Sequence, residues 1–405
     1  MAGGRMTPMK YANAKDVLPE EFLSEIQRYY QGGYLYIPKE SERVARRRTD
    51  YQTELEKRNQ HIYLMHLEGR TNGQLGRICH LSEASIRRIL LKERVSYGKM
   101  KEIIEQVLPL WGMEEGEILQ VYPSAWEWNH LYIIKVYKDR EQLERNIKIS
   151  RALLDCGIPV GAPVATKTGE SFAVYQDKYF LMTEKLQGSN LSDVKDKTIA
   201  WEMGRAIARL HRAFVKCERE VAFWDNSLLE EMRGWIRDTL IKDGWKLLKE
   251  EDYIKAVKSL EQVYDLLQKQ LIHRDVHFGN FLFSEGRLSG YIDFDLSQRN
   301  IRIFDICYFL TGLLAEETED AFTKTEWMEC VKSVIGGYES IQGLSEMEKQ
   351  AVPCVMECIE ILFMAYFISV DDAKCAENAY QVFRFIQDCE GEFPCFCQIT
   401  MDRDP

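Results

Sequence analysis

The chain is expected to form an α+β fold of two unequal lobes, one rich in strands and one helical, preceded by a small all-α domain. Three observations predict this. Apolar strand runs cluster between residues 116 and 188, after which helix-type spacing dominates through Gln387. A hairpin pattern, Phe281–Gly290, interrupts the helical part and is flanked by runs dense in polar residues. The first hundred residues carry a basic surplus and the rest an acidic one, together giving a net charge of −11. At roughly 150 residues per domain, a chain of 405 residues holds two to three units. The divisions drawn are a helical domain at 1–94, a connector helix at 95–108, a strand-rich lobe at 109–188 and a helical lobe at 189–405.

In the first unit, Met1–Thr7 reads as unstructured, and Met6 and Met9 read as alternative starts. Asn59–Glu68 reads as a helix, Gly69–Gly73 as a turn and Gln74–Cys79 as a second helix. After a turn at His80-Leu81, Ser82–Glu93 reads as a third helix with Ser82 as its N-cap. Ile78, Leu81, Ile86 and Ile89 supply apolar contacts between these short helices, a helix-turn-helix pattern. With Met9–Glu20, Tyr34–Lys39 and Leu81–Ile89, the region resembles the helix-turn-helix domain of Mor-type transcription activators. The resemblance implies a duplex-DNA partner met by Ser85, Arg87 and Arg88, with Glu83 beside them. Arg43–Arg48 reads as a phosphate-contacting arm or as a basic loop. A solvated arginine face, or a module that docks on protein, accounts for the same residues.

In the second unit, Gly116–Tyr122 and Asn129–Tyr137 read as strands joined by a loop, Pro123–Trp128, that lacks glycine and contains Ser124. The second strand carries one lysine, Lys135, in an apolar run. Burying it unpaired is costly, so it either meets an anion or snorkels at an edge. Leu143, Ile147, Leu153 and Leu154 give Glu141–Asp155 a helical pattern, stopped by Cys156-Gly157-Ile158-Pro159. Tyr179–Gly188 reads as a buried strand that ends in a polar segment.

The third unit carries the chemistry. His273-Arg274-Asp275-Val276-His277-Phe278-Gly279-Asn280 reads H-x-D-x-x-x-x-N, and Tyr291-Ile292-Asp293-Phe294-Asp295 is an apolar strand ending in carboxylates. Phosphoryl transfer needs one carboxylate to orient the attacking hydroxyl, and oxygen ligands to hold Mg²⁺ against the phosphates. Asp275, Asn280 and Asp293 stand in that order, and the hairpin between the runs brings the last two together. On these motifs the chain resembles the aminoglycoside phosphotransferase and choline kinase family, small-molecule kinases with a two-lobed protein-kinase-like fold. The resemblance implies that Asp275 is the catalytic base and that Asn280 and Asp293 are Mg²⁺ ligands. It further implies that Lys135 pairs the phosphates of ATP or GTP and has Glu144, or alternatively Glu141, as its helical partner. Ser124 would contact phosphate. The main chains of Glu184 and Leu186 would pair with the purine, with Met182 near the base. Asp305 would brace the catalytic loop. Asp295 stands where protein kinases have glycine.

Trp201–Phe214 is an amphipathic helix, and residues 222–268 continue in helical pattern. Apolar runs such as Ile359–Val370 are too short to span a bilayer, so no membrane partner is expected. Residues 301–405 carry 7 Lys+Arg against 20 Asp+Glu, which favours a cationic acceptor over a neutral sugar or amino-alcohol. The 11 cysteines lack metal-type spacing, and no apolar leader opens the chain, so reduced thiols and a cytoplasmic location are expected. Two functions stay open: an O-phosphotransferase acting on a small hydroxylated molecule, or a transcription regulator whose kinase-like domain senses a nucleotide or small ligand. The oligomeric state is left open.

Overall fold

The computed structural model describes residues 50–393 apart from 68, 80–81, 191–194, 220–222, 224, 286 and 316–321. The stretches Met9–Glu20, Tyr34–Lys39 and Arg43–Arg48 therefore lie outside the described residues.

Three helices come first: α1 (Asp50–Leu67), α2 (Asn72–Ile78) and α3 (Glu83–Val107). Thr71 and Gln74 form a capping box at α2, and the Ser82 side chain accepts from the Ser85 amide at the start of α3. Ile62, Leu75, Ile86 and Leu90 close a small core between them. The expected third helix and connector are a single element of 25 residues. Residues 83–107 contain no proline and a single glycine, Gly98, and the weaker helix formers Val95, Ser96 and Tyr97 do not by themselves stop the helix at 94. Its second half turns Ile104 and Val107 onto the sheet, joined by Leu108 and Trp111 of a 3₁₀ turn.

The sheet is antiparallel, in the order β1-β2-β3-β5-β4: β1 (Ile118–Tyr122), β2 (Ala125–Trp128), β3 (Tyr132–Tyr137), β4 (Ala173–Tyr175) and β5 (Lys178–Glu184). The expected Pro123–Trp128 loop is mostly strand. Only Pro123 and Ser124 turn, and Trp126 and Trp128 are buried as β2. Alternating aromatic residues suit a half-buried strand, and this outweighs the turn signal of the proline. Asn129 and His130 both have positive φ, 48° and 57°, and Leu131 N donates to Trp128 O, the pattern of a tight hairpin turn.

Strand period sorts the two faces of this sheet. Ile134 and its partner Met182 pack with Trp126 toward α3. Lys135 and its partner Leu181 face the other way, where α4 (Arg140–Asp155) places Leu143 and Ile147 against Tyr137 and Leu181. Met182 thus lies on the opposite face from the lysine and not in a base pocket beside it.

The larger lobe contains α5 (Lys197–Cys217), short helical turns over Leu228–Asp243, α6 (Glu250–Val263), α7 (Ile303–Ala315), α8 (Lys324–Glu339), α9 (Glu346–Ser369) and α10 (Ala373–Asp388). Two small antiparallel pairs lie among them: β6 (Lys269–Ile272) with β9 (Gln298–Ile301), and the expected hairpin of β7 (Phe281–Ser284) with β8 (Arg287–Tyr291). Helices α5 and α8 touch backbone to backbone. A Cβ on Gly204 would sit 2.0 Å from Val334 O, and one on Gly337 2.1 Å from Trp201 O. The apolar run at 359–370 is only the second half of α9, a 24-residue helix long and apolar enough to cross a membrane. Its most apolar window is 72% buried within the protein, and its first turn holds Arg302 through Glu348 at 2.6 and 2.7 Å, as befits a core helix.

Candidate active site

The loop after β6 is fixed from below. Asp305, in the first turn of α7 and fully buried, accepts from the backbone amides of His273 and Arg274, both at 2.8 Å. His211 of α5 pairs with its Oδ2 at 2.9 Å and with the Tyr338 hydroxyl at 2.9 Å. Arg274 adopts a left-handed φ of 67°, and its guanidinium grips both oxygens of Glu231 at 3.0 and 2.9 Å. These contacts leave Asp275 as the carboxylate that the loop presents to the cleft.

Asp275 Oδ1 accepts from the Tyr308 hydroxyl at 2.8 Å, and Oδ2 from Asn280 Nδ2 at 3.1 Å, with His277 Nε2 3.6 Å away. Burial alone would raise its pKa. The hydrogen bond and charge of His277, with help from Tyr308, outweigh that and hold it at about 2. Asn280 also donates to Asp275 O at 2.9 Å, and Asn190 steadies the turn by donating to Phe278 O and Gly279 O at 3.0 and 2.8 Å. The hairpin returns so that Ile292 N donates to Asn280 O at 3.0 Å. Asp293 follows with φ 61°.

Across the cleft, Lys135 Nζ lies 2.9 Å from Asp293 Oδ1 and 2.8 Å from Asp295 Oδ2. Burial would lower the lysine pKa, but Tyr137, Asp293 and Asp295 hold it well above the ordinary value. Burial would raise that of Asp293, and Lys135 instead brings it below the usual carboxylate range. Asp275, Asn280, Asp293 and Lys135, expected as one site, converge.

Other expected residues stand elsewhere. Glu144 does not reach Lys135. Its carboxylate takes Arg140 Nε at 2.8 Å at the surface, and the alternative, Glu141, is exposed in the first turn of α4. The α4 residue that faces the site is Asn146, whose amide nitrogen donates to Asp295 Oδ1. Ser124 sits in the β1–β2 turn and accepts from Val136 N at 2.8 Å through its carbonyl, beside Lys135 in sequence. Glu184 ends β5, and its amide is taken by Ala162 O at 3.0 Å. The Leu186 side chain lies over β8, where a Cβ on Gly290 would meet its Cδ1 at 2.7 Å. In α3, Ser85 Oγ bonds Ser82 Oγ, Arg87 pairs with Glu83 at 3.1 Å, and Arg88 is exposed. One of the three expected DNA-facing side chains thus spends its charge within its own helix.

The donor set fits a hard divalent cation. The Asn280 amide nitrogen is engaged by Asp275, which turns the amide oxygen the other way, and Asp293 adds a carboxylate. No group of three or more His, Cys, Asp or Glu side chains able to hold a metal occurs among the described residues, so phosphate oxygens would have to complete the shell.

A family model described as the phosphotransferase enzyme family matches residues 125–349. The homoserine kinase of Gluconobacter oxydans (strain 621H) is 25% identical over 213 residues, 51% of this chain and 65% of that protein. The homoserine kinase of Neisseria meningitidis serogroup B (strain ATCC BAA-335 / MC58) is 26% identical over 284 residues, 68% of this chain and 81% of its own length. Among solved structures, the amicoumacin kinase hAmiN in complex with AMP-PNP, Ca²⁺ and Ami has a TM-score of 0.55 at 17% identity, covering 74% of this chain and 96% of that one. A microcompartment-associated aminopropanol kinase has a TM-score of 0.53 at 17% identity, with coverage of 72% and 97%. The GDP complex of wild-type aminoglycoside 2'-phosphotransferase-IIIa has a TM-score of 0.54 at 15% identity, with coverage of 73% and 98%. These likenesses show a kinase-like fold.

Proposed function

From the premise that the chain belongs to the phosphotransferase enzyme family, we propose that it moves the γ-phosphate of ATP or GTP to a hydroxyl of a small amine-bearing molecule. The observation that carries this reading is the convergence of Asp275, Asn280, Asp293 and Lys135 on one site from three separate segments: the loop after β6, the turn after β8, and β3. Asp275 is ionised at neutral pH and accepts the hydrogen bond of the acceptor hydroxyl, orienting its lone pair for in-line attack. Lys135 exchanges Asp293 for phosphate oxygens and keeps Asp295 as its carboxylate partner. A divalent cation held by Asn280 and Asp293 would neutralise charge on the transferred group.

The amine is proposed from charge and kinship together. The last hundred residues carry a strong acidic surplus, and the relatives include homoserine kinases and an aminopropanol kinase. The test is nucleoside diphosphate release with ATP and with GTP, across homoserine, aminopropanol, choline, aminoglycosides and neutral sugars. Turnover is expected with at least one hydroxylated amine and is lost in Asp275→Ala. Absence of nucleotide binding in the presence of Mg²⁺ would overturn the reading.

A further inference from the structure

Helix α4 reaches the strand lysine through no acid of its own. Glu144 is spent on Arg140 at the surface, whereas Asn146, two residues on, is 6% exposed and lies on the inner face with Leu143 and Ile147. A buried amide needs partners, and Asn146 finds one in Asp295. Both oxygens of Asp295 are committed. Oδ1 takes the Asn146 amide and, at 3.5 Å, the Tyr137 hydroxyl, while Oδ2 takes Lys135 Nζ at 2.8 Å. Asp293 instead meets Lys135 and the Asp295 amide, at 3.4 Å, through Oδ1.

The geometry points to Asn146 as a positioning residue: it orients Asp295, and Asp295 in turn holds the Lys135 ammonium where phosphate oxygens arrive. The inference rests on the proposed phosphate role of Lys135. It divides the two carboxylates of the Ile292–Asp295 segment, giving Asp293 to the cation and Asp295 to the lysine. It also explains why the α4 residue is an amide. Two carboxylates already face one ammonium, and a third buried acid would leave uncompensated negative charge at a site that must admit a triphosphate.

A double-mutant cycle read by calorimetric titration of AMP-PNP with Mg²⁺ tests this in the full chain. Asn146→Ala is expected to weaken binding about tenfold, the scale of a lost hydrogen bond to a charged group. In an Asp295→Ala background the same substitution should change Kd less than about twofold, because its partner is gone. Asn146→Asp should bind more weakly than Asn146→Ala, which loss of packing alone would not produce. If Asn146→Ala does not melt cooperatively, Asn146→Ser enters the cycle in its place. Equal losses in both backgrounds, with Lys135→Ala still impaired, would overturn this inference alone. Unchanged binding in Lys135→Ala would overturn the phosphate role and the inference together.

Discussion

Asp275 carries the sharpest prediction at the scale of single residues. Asp275→Ala removes the carboxylate that orients the acceptor and leaves Lys135 and Asp293 in place. Turnover should fall about 10²-fold or more while nucleotide affinity stays within a few-fold. Steady-state rates and titration on one preparation decide it, and turnover within threefold of wild type would remove Asp275 from that role. Asp293→Asn should abolish the gain in nucleotide affinity that Mg²⁺ confers, measured by titrations with and without the ion. Asp275, Asn280 and Asp293 were legible because their spacing is dictated by local chain geometry, one loop and one hairpin, and Lys135, 158 positions from Asp293, because a lone lysine in an apolar strand calls for an anion. Asn146, Tyr308 and Asn190 were not, since each reaches the site from a distant segment: Asn146 meets Asp295 149 positions away. The resemblance points to Glu144 because it implies an acid early in that helix. It sits two residues from Asn146, hence on nearly the opposite side of the helix, and sequence alone did not set that rotation.

At the scale of elements, α5 and α8 owe their close approach to glycine. Gly204→Ala drives a methyl into the Val334 carbonyl and is expected to cost about 1–3 kcal/mol or more, read as a lowered denaturation midpoint. A second prediction concerns α9, where burial pushes the Glu360 carboxyl up to about 8, slightly offset by Thr311. A carboxyl raised in the folded state keeps its proton after the unfolded chain has lost it, so stability falls as pH rises from about 4.5 toward about 8. Each pH unit in that window costs about 1.4 kcal/mol from this group, and Glu360→Gln should flatten the slope in denaturation measured at pH 5.5 and 7.5. A slope unchanged by the substitution would place the proton elsewhere. Helix existence was legible throughout this lobe, but helix length was not. Glu348 and Glu357 interrupt the hydropathy of α9, and only their burial makes the 24 residues one core element.

For the molecule as a whole, α3 matters most. Ile104 is fully buried between this helix and the sheet that carries Lys135. Ile104→Ala is expected to cost about 2–5 kcal/mol and to lower the melting temperature of the nucleotide-bound protein, although it touches no site residue. In the strand-rich lobe β1, β5 and β3 with its lysine were legible, whereas β2, read as a loop, and the three-residue β4 were not. Nor was the lobe's dependence on a helix drawn into another domain, because no stop signal is needed where tertiary contacts simply continue. Proteases meet the consequence. A domain border usually offers them an open stretch of main chain, but the border drawn at 94/95 lies mid-helix, in a rod about 37 Å long at 1.5 Å per residue. Trypsin should therefore leave the Arg94-Val95 bond intact under native conditions and cut it only when the sheet itself opens. Early accumulation of a stable fragment beginning at Val95 would show that the rod breaks there. Survival of the bond would mean that the first half of this rod cannot be pulled without also straining the sheet that carries Lys135.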